Sequence, residues 1–188
     1  MISQILHKLD TCTELLQYFT SGAVTFAASD DSLAATGIGT GGAFEVGDHI
    51  VVSGSSESAN NTTHTVTISA ANKITCGGSA ITDDNAGETI VINQEYQGSW
   101  VNVERWAVIT GSINCSGNAY VYIDQSGDDV NSAADVSNTD YTSTVAVTGG
   151  TAQPWNIQVI GKWARLRVRN NGADQTTMRA FMYGRAIT

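Results

Sequence analysis

Short runs of alternating apolar and polar residues, divided by turns, follow one another along most of this chain. Between residues 44 and 92 the runs are 49–52, 65–68, 73–75 and 88–92, with Gly-, Asn- and Asp-containing segments between them. The run 65–68 reads Thr-Val-Thr-Ile, with the period of two that is typical of a half-buried strand. The pattern therefore predicts a mainly β protein.

The half of the chain from residue 96 onwards repeats this pattern. Gly-, Asn- or Asp-rich turns divide it at spacings typical of a β-sandwich. Seven strand candidates lie at 100–103, 106–109, 119–123, 144–147, 155–160, 164–169 and 178–183. We predict a jelly-roll-like β-sandwich over 96–188, preceded by a small β-barrel-like module over 21–95.

Residues 1–20 differ from the rest because their apolar residues recur at alternating spacings of three and four. These residues are Ile2, Ile5, Leu9, Cys12, Leu16 and Phe19. Such spacing is the a/d seam of a heptad pattern and predicts an amphipathic N-terminal helix. Two roles stay open for the seam. It packs on the protein's own β-core, or it is an oligomerisation and docking seam, with a trimer favoured.

Composition and charge argue against nucleic acid and membranes as binding partners. The formal net charge is -9, which argues against general binding to nucleic acid through phosphates. No apolar run approaches the roughly 18 residues of a membrane span, so we expect no membrane partner. Cys12, Cys76 and Cys115 include no C-x-x-C pair, and we expect buried free thiols in a protein kept in the cytosol.

The block 44–92 resembles a small β-module that recurs in virion proteins of tailed bacteriophages. The matching residues are Phe44, Val46-Gly47-Asp48, Ile50, Val52-Ser53-Gly54, Asn60-Asn61, Thr63, Thr65-Val66, Ile74-Thr75, Asp84, Ala86-Gly87 and Ile92. The resemblance covers about a quarter of the chain and implies a structural part of a virion rather than an enzyme.

The C-terminal half resembles a β-sandwich found at the end of many phage virion proteins. There a Trp-containing first strand is followed by a strand that ends in Asp-Gln-x-Gly, and an Arg-rich strand comes later. The matching segments here are 123–127 (IDQSG), 164–172 (ARLRVRNNG) and 175–183 (QTTMRAFMY). This resemblance also implies a structural component of a virion.

A basic strand is the main candidate for partner binding. Arg165, Arg167 and Arg169 project from one face of a predicted strand, while Leu166 and Val168 point to the other. They could anchor an acidic partner such as a capsid or neighbouring subunit. Alternatively, they pair with the local carboxylates Asp124, Asp128 or Glu104, and their stems cover Trp side chains.

The sequence contains little that indicates a metal site or a catalytic site. The acidic segment 124–129 lacks the ligand order of an EF-hand loop, so a hairpin turn with solvated carboxylates is the simpler interpretation. His49 and His64 flank strands of one module and could meet, but a third ligand is not evident. The chain has no G-x-S-x-G, H-E-x-x-H or P-loop motif. We expect no catalytic residues, no cofactor and no metal.

These observations lead to an expected function. The chain should be a non-enzymatic virion structural protein, assembled in the host cytoplasm. Within that class we favour a capsid decoration, or cement, protein that binds the major capsid protein as a homotrimer. The alternative is a tail, neck or short tail-fibre component whose C-terminal sandwich binds a host receptor or glycan, with Trp or Tyr as stacking platforms.

Overall fold

The computed structural model describes residues 6–39 and 44–185. Strands hold 51% of the residues and helical turns 3%, and the sheets are antiparallel, so the prediction of a mainly β protein is confirmed. The described chain forms two compact units. The first comprises 6–15, 96–169 and 175–185, and the second comprises 16–95 and 170–174. No helix within the described ranges is long and apolar enough to cross a membrane.

The described residues form fifteen strands. They are β1 (Leu6–Cys12), β2 (Tyr18–Ser21), β3 (Thr25–Ala27), β4 (Ser32–Ala34), β5 (His49–Ser53), β6 (Thr63–Ala70), β7 (Lys73–Gly77), β8 (Ile90–Gln97), β9 (Val101–Asn102), β10 (Val108–Cys115), β11 (Ala119–Ser126), β12 (Tyr141–Val147), β13 (Gln153–Gln158), β14 (Trp163–Asn170) and β15 (Met178–Arg185).

The first unit contains a four-stranded sheet in the order β1-β15-β10-β13 and a second group of strands in the order β12-β11-β14, with β9 paired to β14. On the inner strands β11 and β14, alternate residues are apolar and buried, as the period of two requires, and β10 also has buried apolar residues. On β10 these include Ile109 and Ile113, and on β11 they include Val121 and Ile123. The apolar core of this unit is therefore made from side chains of both strand groups.

The second unit contains the strands β8-β5-β6-β7-β4-β3 in that order, and β2 pairs with β8. Short turns join β3 to β4 and β6 to β7, while longer loops make the other connections. Glycines take up the left-handed backbone where one is needed, as at Gly54 (φ +96°). Phe44, Leu33, Ile50 and Ile92 are among the fully buried side chains of its core. Phe19 packs against this core.

The predicted N-terminal helix over 1–20 is wrong. Residues of this segment form β1, which pairs antiparallel with β15, and β2, which pairs antiparallel with β8. The apolar residues of the predicted seam do not form one continuous surface. Cys12 is buried in the first unit, while Leu16 is buried in the second. Ile2 and Ile5 lie outside the described residues.

A β-bulge explains why strand residues imitated a helical spacing. Lys8 is opposite Tyr183 and Asp10 is opposite Met182, so Leu9 is an extra residue in β1. An extra residue breaks the period of two and places same-face positions three apart, which imitates the i, i+3 spacing of a helix. The β-branched and aromatic residues of 11–13 and 18–20 also favour strands over helices.

The cysteines support a prediction about reactivity. Cys12, Cys76 and Cys115 are free and buried, and burial raises the pKa of Cys12 and of Cys76 from 9.0 to about 12. Because the thiolate is the reactive form, we expect iodoacetamide to modify none of them at neutral pH in the native protein and all three after unfolding in urea. Mass spectrometry measures this. Rapid native labelling, or a mass lower by two hydrogens, would contradict it.

Candidate functional site

The basic strand β14 places its three arginines on one side, as its sequence pattern predicts. Arg165, Arg167 and Arg169 are partly exposed, whereas Leu166 and Val168 are fully buried. The alternation follows directly from the pleat, because successive side chains of a strand point to opposite faces. The apolar positions anchor β14 in the core and thereby fix the arginines on the opposite face.

A buried carboxylate on the neighbouring strand β11 binds two of these arginines. The side chain of Asp124 is fully buried. Its Oδ2 accepts hydrogen bonds from Nε of Arg165 at 2.9 Å and from Nε of Arg167 at 2.7 Å. Its Oδ1 accepts from Nη2 of Arg167 at 2.9 Å and from Oγ1 of Thr142 at 2.8 Å. Arg167 is therefore a bidentate partner, the strongest geometry for this pair of groups.

These contacts control the ionisation of Asp124. Burial by itself raises the pKa of a carboxyl, because it disfavours the charged form. Here the hydrogen bonds and positive charge of Arg167, with further bonds from Thr142 and Arg165, outweigh burial and hold the pKa of Asp124 below its ordinary value of 3.8. The carboxylate thus remains charged at neutral pH and holds the two guanidinium groups in place.

The guanidinium groups of all three arginines lie over aromatic rings. The guanidinium carbon of Arg165 lies 4.7 Å from the ring centroid of Trp100, and that of Arg167 lies 4.8 Å from Tyr122. Arg169 lies 5.0 Å from Tyr122 and also donates a hydrogen bond to its phenol oxygen. These distances are within the range of cation–π attraction. The arginines are thus positioned by flat, rigid neighbours.

Strand β12 completes this surface. Thr142, Thr144 and Ala146 are exposed and are the register partners of Asp124, Tyr122 and Tyr120 on β11. We call this surface the arginine face: Trp100, Tyr120, Tyr122, Asp124, Thr142, Thr144, Ala146, Arg165, Arg167 and Arg169. Its three guanidinium groups and one carboxylate leave an excess of positive charge on a protein whose formal net charge is -9.

The carboxylates of the segment 124–129 point to different partners and do not converge. Asp128 accepts hydrogen bonds from the backbone of Ser137 and from Asn138, which lower its pKa to about 2, and Asp129 pairs with Lys162. This arrangement is that of a hairpin loop with its own internal bonds. Within residues 6–39 and 44–185 no group of three or more His, Cys, Asp or Glu is placed to hold a metal ion.

The two histidines of the second unit do not meet. His49 is the register partner of Thr65, while His64 is the partner of Ile50, so the two imidazoles lie on opposite faces of the β5–β6 pair. Nδ1 of His49 is 3.1 Å from Oγ1 of Thr65, and Nε2 of His64 is 3.1 Å from the carbonyl oxygen of Asn60. Each ring has a separate local role in the fold.

A cleft of about 220 Å³ opens at one end of the β11–β12 pair in the first unit. Its walls come from β11, from the start of β12 and from the turn before β14. They are Gln125, Gly127, Asp140, Tyr141, Ile160 and Gly161. The sequence interpretation missed this cleft and the tyrosines of the arginine face. The position of Tyr120 and Tyr122 on the face opposite the buried Val121 could have been found from the alternation Ala-Tyr-Val-Tyr-Ile over 119–123.

Comparisons of the chain with protein-family models, with curated proteins and with solved structures found no match.

Proposed function

We propose that this chain is a non-enzymatic structural protein of a tailed-phage virion, and that it decorates the capsid shell by docking its arginine face on the major capsid protein. The sequence motifs of 44–92 and of the C-terminal half support the virion class. The observation that supports docking is the arginine face itself, a partly exposed surface of Arg, Tyr and Trp.

The composition of the arginine face is that of an interface centre. Arg, Tyr and Trp are the residue types that dominate binding energy in protein–protein interfaces. The side chains of Arg165 and Arg167 are 24% and 20% exposed, so part of each remains open to a partner although its guanidinium group already bonds to Asp124. Because the rings and Asp124 fix these side chains before binding, docking costs little conformational entropy.

Charge favours an acidic partner at this face. Arg169 lies over the rings of Tyr120 and Tyr122, while Arg165 and Arg167 share Asp124. A complementary acidic patch on a capsid subunit would be attracted by the remaining positive charge, and the attraction would weaken as salt increases.

The proposal includes the finer architecture and the assembly. The second unit is a β-barrel-like module and the C-terminal half a jelly-roll-like β-sandwich. The protein is assembled in the host cytoplasm and resides in the virion. It associates with itself, a trimer being favoured, but without the helical bundle that the sequence suggested. A solution mass of the purified protein and its copy number per particle test these points.

A rebinding experiment with charge-reversed variants tests the docking surface. Particles that lack the protein should assemble with normal shape but burst at a lower temperature, and added purified protein should restore resistance in proportion to occupancy. Arg169→Glu should weaken rebinding by about tenfold or more, because it places a like charge against an acidic partner. Arg169 is the preferred position, because Arg167→Glu would also disrupt the bonds to Asp124.

Arg179→Glu is the matched control. Arg179 is exposed on β15 and lies over Phe181, so this variant makes the same change of charge in a similar local setting but away from the arginine face. It should rebind like the wild type. Equal weakening by the two variants would show that only net charge matters, and the arginine face would not be the anchor.

A tail, neck or short-fibre component that binds a host receptor is the second candidate function. The observation that favours it is the cleft, which carries the exposed side chains of Tyr141 and Ile160. Particles without the protein that resist heat and osmotic shock normally, but no longer adsorb to cells, would contradict the decoration role and support this one.

A further inference from the structure

The cleft concentrates exposed apolar surface. Five large hydrophobic side chains are exposed within the described residues, namely Leu15, Val46, Ile68, Tyr141 and Ile160. Two of the five line this one cleft, where Tyr141 is 47% exposed and Ile160 is 61% exposed. An aromatic ring and an aliphatic side chain at one concave place are typical of a ligand site rather than of scattered surface residues.

The fully buried side chain of Gln125 holds the cleft in shape. Its Oε1 accepts hydrogen bonds from the backbone of Ile160 at 2.8 Å and of Gly161 at 3.3 Å, and its Nε2 donates to the carbonyl oxygen of Gln158 at 3.0 Å. Its own carbonyl oxygen accepts from the backbone of Asp140 at 3.0 Å. One residue thus ties both walls together, through its side-chain amide on one side and its backbone carbonyl on the other, so the cleft is formed before any ligand arrives.

Polar groups at the rim determine what kind of ligand fits. Asp140 is exposed, and its Oδ2 accepts a hydrogen bond from the backbone of Gly127 at 2.7 Å, which fixes the carboxylate in the cleft that Tyr141 also lines. A carboxylate has about four acceptor positions, so several remain for the hydroxyl groups of a ligand. Its negative charge disfavours phosphates, sulfates and acidic peptides.

We propose that this cleft binds a single neutral pyranose ring, as found in a glycan. A pyranose combines an apolar face of C–H groups, which can stack on Tyr141, with equatorial hydroxyls that can donate to Asp140. The volume of about 220 Å³ suits one ring and is below the usual range for drug-sized ligands. The site does not depend on the decoration role, because it uses other residues than the arginine face.

Titration of the isolated protein with simple sugars tests the site. The probes are the methyl glycosides of glucose, galactose, mannose and N-acetylglucosamine, and the readout is the set of backbone amide signals in nuclear magnetic resonance spectra. At least one probe should shift the amides of Gly127, Tyr141 and Gly161 with a dissociation constant of about 1 mM, the strength that a dozen ligand atoms can supply.

Variants separate stacking from a general effect on the fold. Tyr141→Ala should weaken binding about tenfold or more, while Tyr141→Phe keeps the ring and should bind within about threefold of wild type. Asp140→Asn should also weaken binding, because an amide oxygen is a poorer acceptor than a carboxylate.

Ile68→Ala is the control, because it removes another exposed apolar side chain, which lies in the second unit. This variant should bind like the wild type. The proposal is overturned if none of the four glycosides shifts these amides, if the shifts fall elsewhere, or if Tyr141→Ala binds as well as Tyr141→Phe. A failure here leaves the capsid-rebinding result unaffected, so the two proposals can fail separately.

Discussion

Asp124→Ala is expected to lower the free energy of unfolding by about 3 kcal/mol. Removing one partner of a buried ion pair typically costs about 3–5 kcal/mol, because the remaining charge is left without compensation. The arginines are about one fifth exposed and can regain part of their solvation, so the lower end of that range applies. Urea unfolding of wild type and variant at neutral pH measures the difference.

Asp129→Ala is the matched control for this variant. Asp129 is also a carboxylate with a basic partner, Lys162, but its side chain is 98% exposed. Exposed ion pairs contribute little to stability, so the urea midpoint of this variant should stay close to that of the wild type. Similar losses from the two substitutions would mean that burial of Asp124 between the arginines is not what stabilises the fold.

The contribution of Asp124 to stability depends on pH with a definite sign. The pKa of Asp124 is lower in the folded protein than its ordinary value of 3.8, so its contribution is fully present above that value. The contribution is lost as pH falls through the folded-state pKa. The stability difference between wild type and Asp124→Asn should therefore shrink below about pH 4. A difference that stays constant down to pH 2 would contradict the assignment.

The wild type must be compared with Asp124→Asn because other carboxylates also reduce the stability of the fold as pH falls. Asp30, Asp128 and Asp129 also have lowered pKa values in the folded protein, each through local hydrogen bonds. All of them lose their contribution on acidification, so the wild-type profile alone cannot isolate Asp124. The subtraction of the Asn variant removes these shared effects.

The strand content of the protein could be predicted because the signal is local. The runs predicted at 119–123 and 164–169 overlap β11 and β14, and each of the other five candidates after residue 96 also overlaps an observed strand. Alternation of apolar and polar residues requires only that one face be buried, whatever the fold around it. Register and strand order depend on distant parts of the chain and could not be read in this way.

The N-terminal segment could not be predicted because its burial is set by partners far along the chain. Asp10 is opposite Met182 and Cys12 is opposite Ala180 on β15. No sequence pattern within residues 1–20 predicts that pairing or the bulge at Leu9. A spacing of three and four is produced equally by a helix and by a bulged strand followed by a turn, and tertiary contacts decide between them.

The sequence predicts that the three arginines lie on one side of β14, but it does not predict which carboxylate and which rings they contact. Alternation on β14 indicates that Arg165, Arg167 and Arg169 lie together, and Asp124 was one of three carboxylates considered as their local partner. The choice of Asp124 depends on β11 lying next to β14, which no local pattern encodes. Its role combines the two interpretations, because pairing with Asp124 and stacking on aromatic rings organise the arginines that we propose for docking.

A second large effect is expected from a glycine in the four-stranded sheet of the first unit. Gly111 on β10 is the register partner of Trp155 on β13 and of Met182 on β15. A Cβ added at Gly111 would lie 2.1 Å from the carbonyl oxygen of Phe181 and 2.1 Å from Cζ2 of Trp155. Both distances are far inside van der Waals contact, so the indole ring occupies the space that a side chain would need.

Gly111→Ala should therefore lower the free energy of unfolding by about 3 kcal/mol, the upper end for overpacking a core. A movement of Trp155 could relieve one clash, but the oxygen of Phe181 belongs to the backbone of a paired strand and cannot move without breaking the β10–β15 ladder. The usual gain of up to about 1 kcal/mol from restricting the unfolded chain is too small to offset this.

Gly22→Ala is the control for Gly111→Ala, because an added Cβ at Gly22 meets nothing within 4 Å. It should change the free energy of unfolding by less than about 1 kcal/mol. Urea unfolding followed by tryptophan fluorescence measures both variants, and the fluorescence should also shift in folded Gly111→Ala as the ring of Trp155 is displaced. A Gly111→Ala protein as stable as Gly22→Ala would show that Trp155 does not lie across β10, and the packing of this sheet would have to be revised.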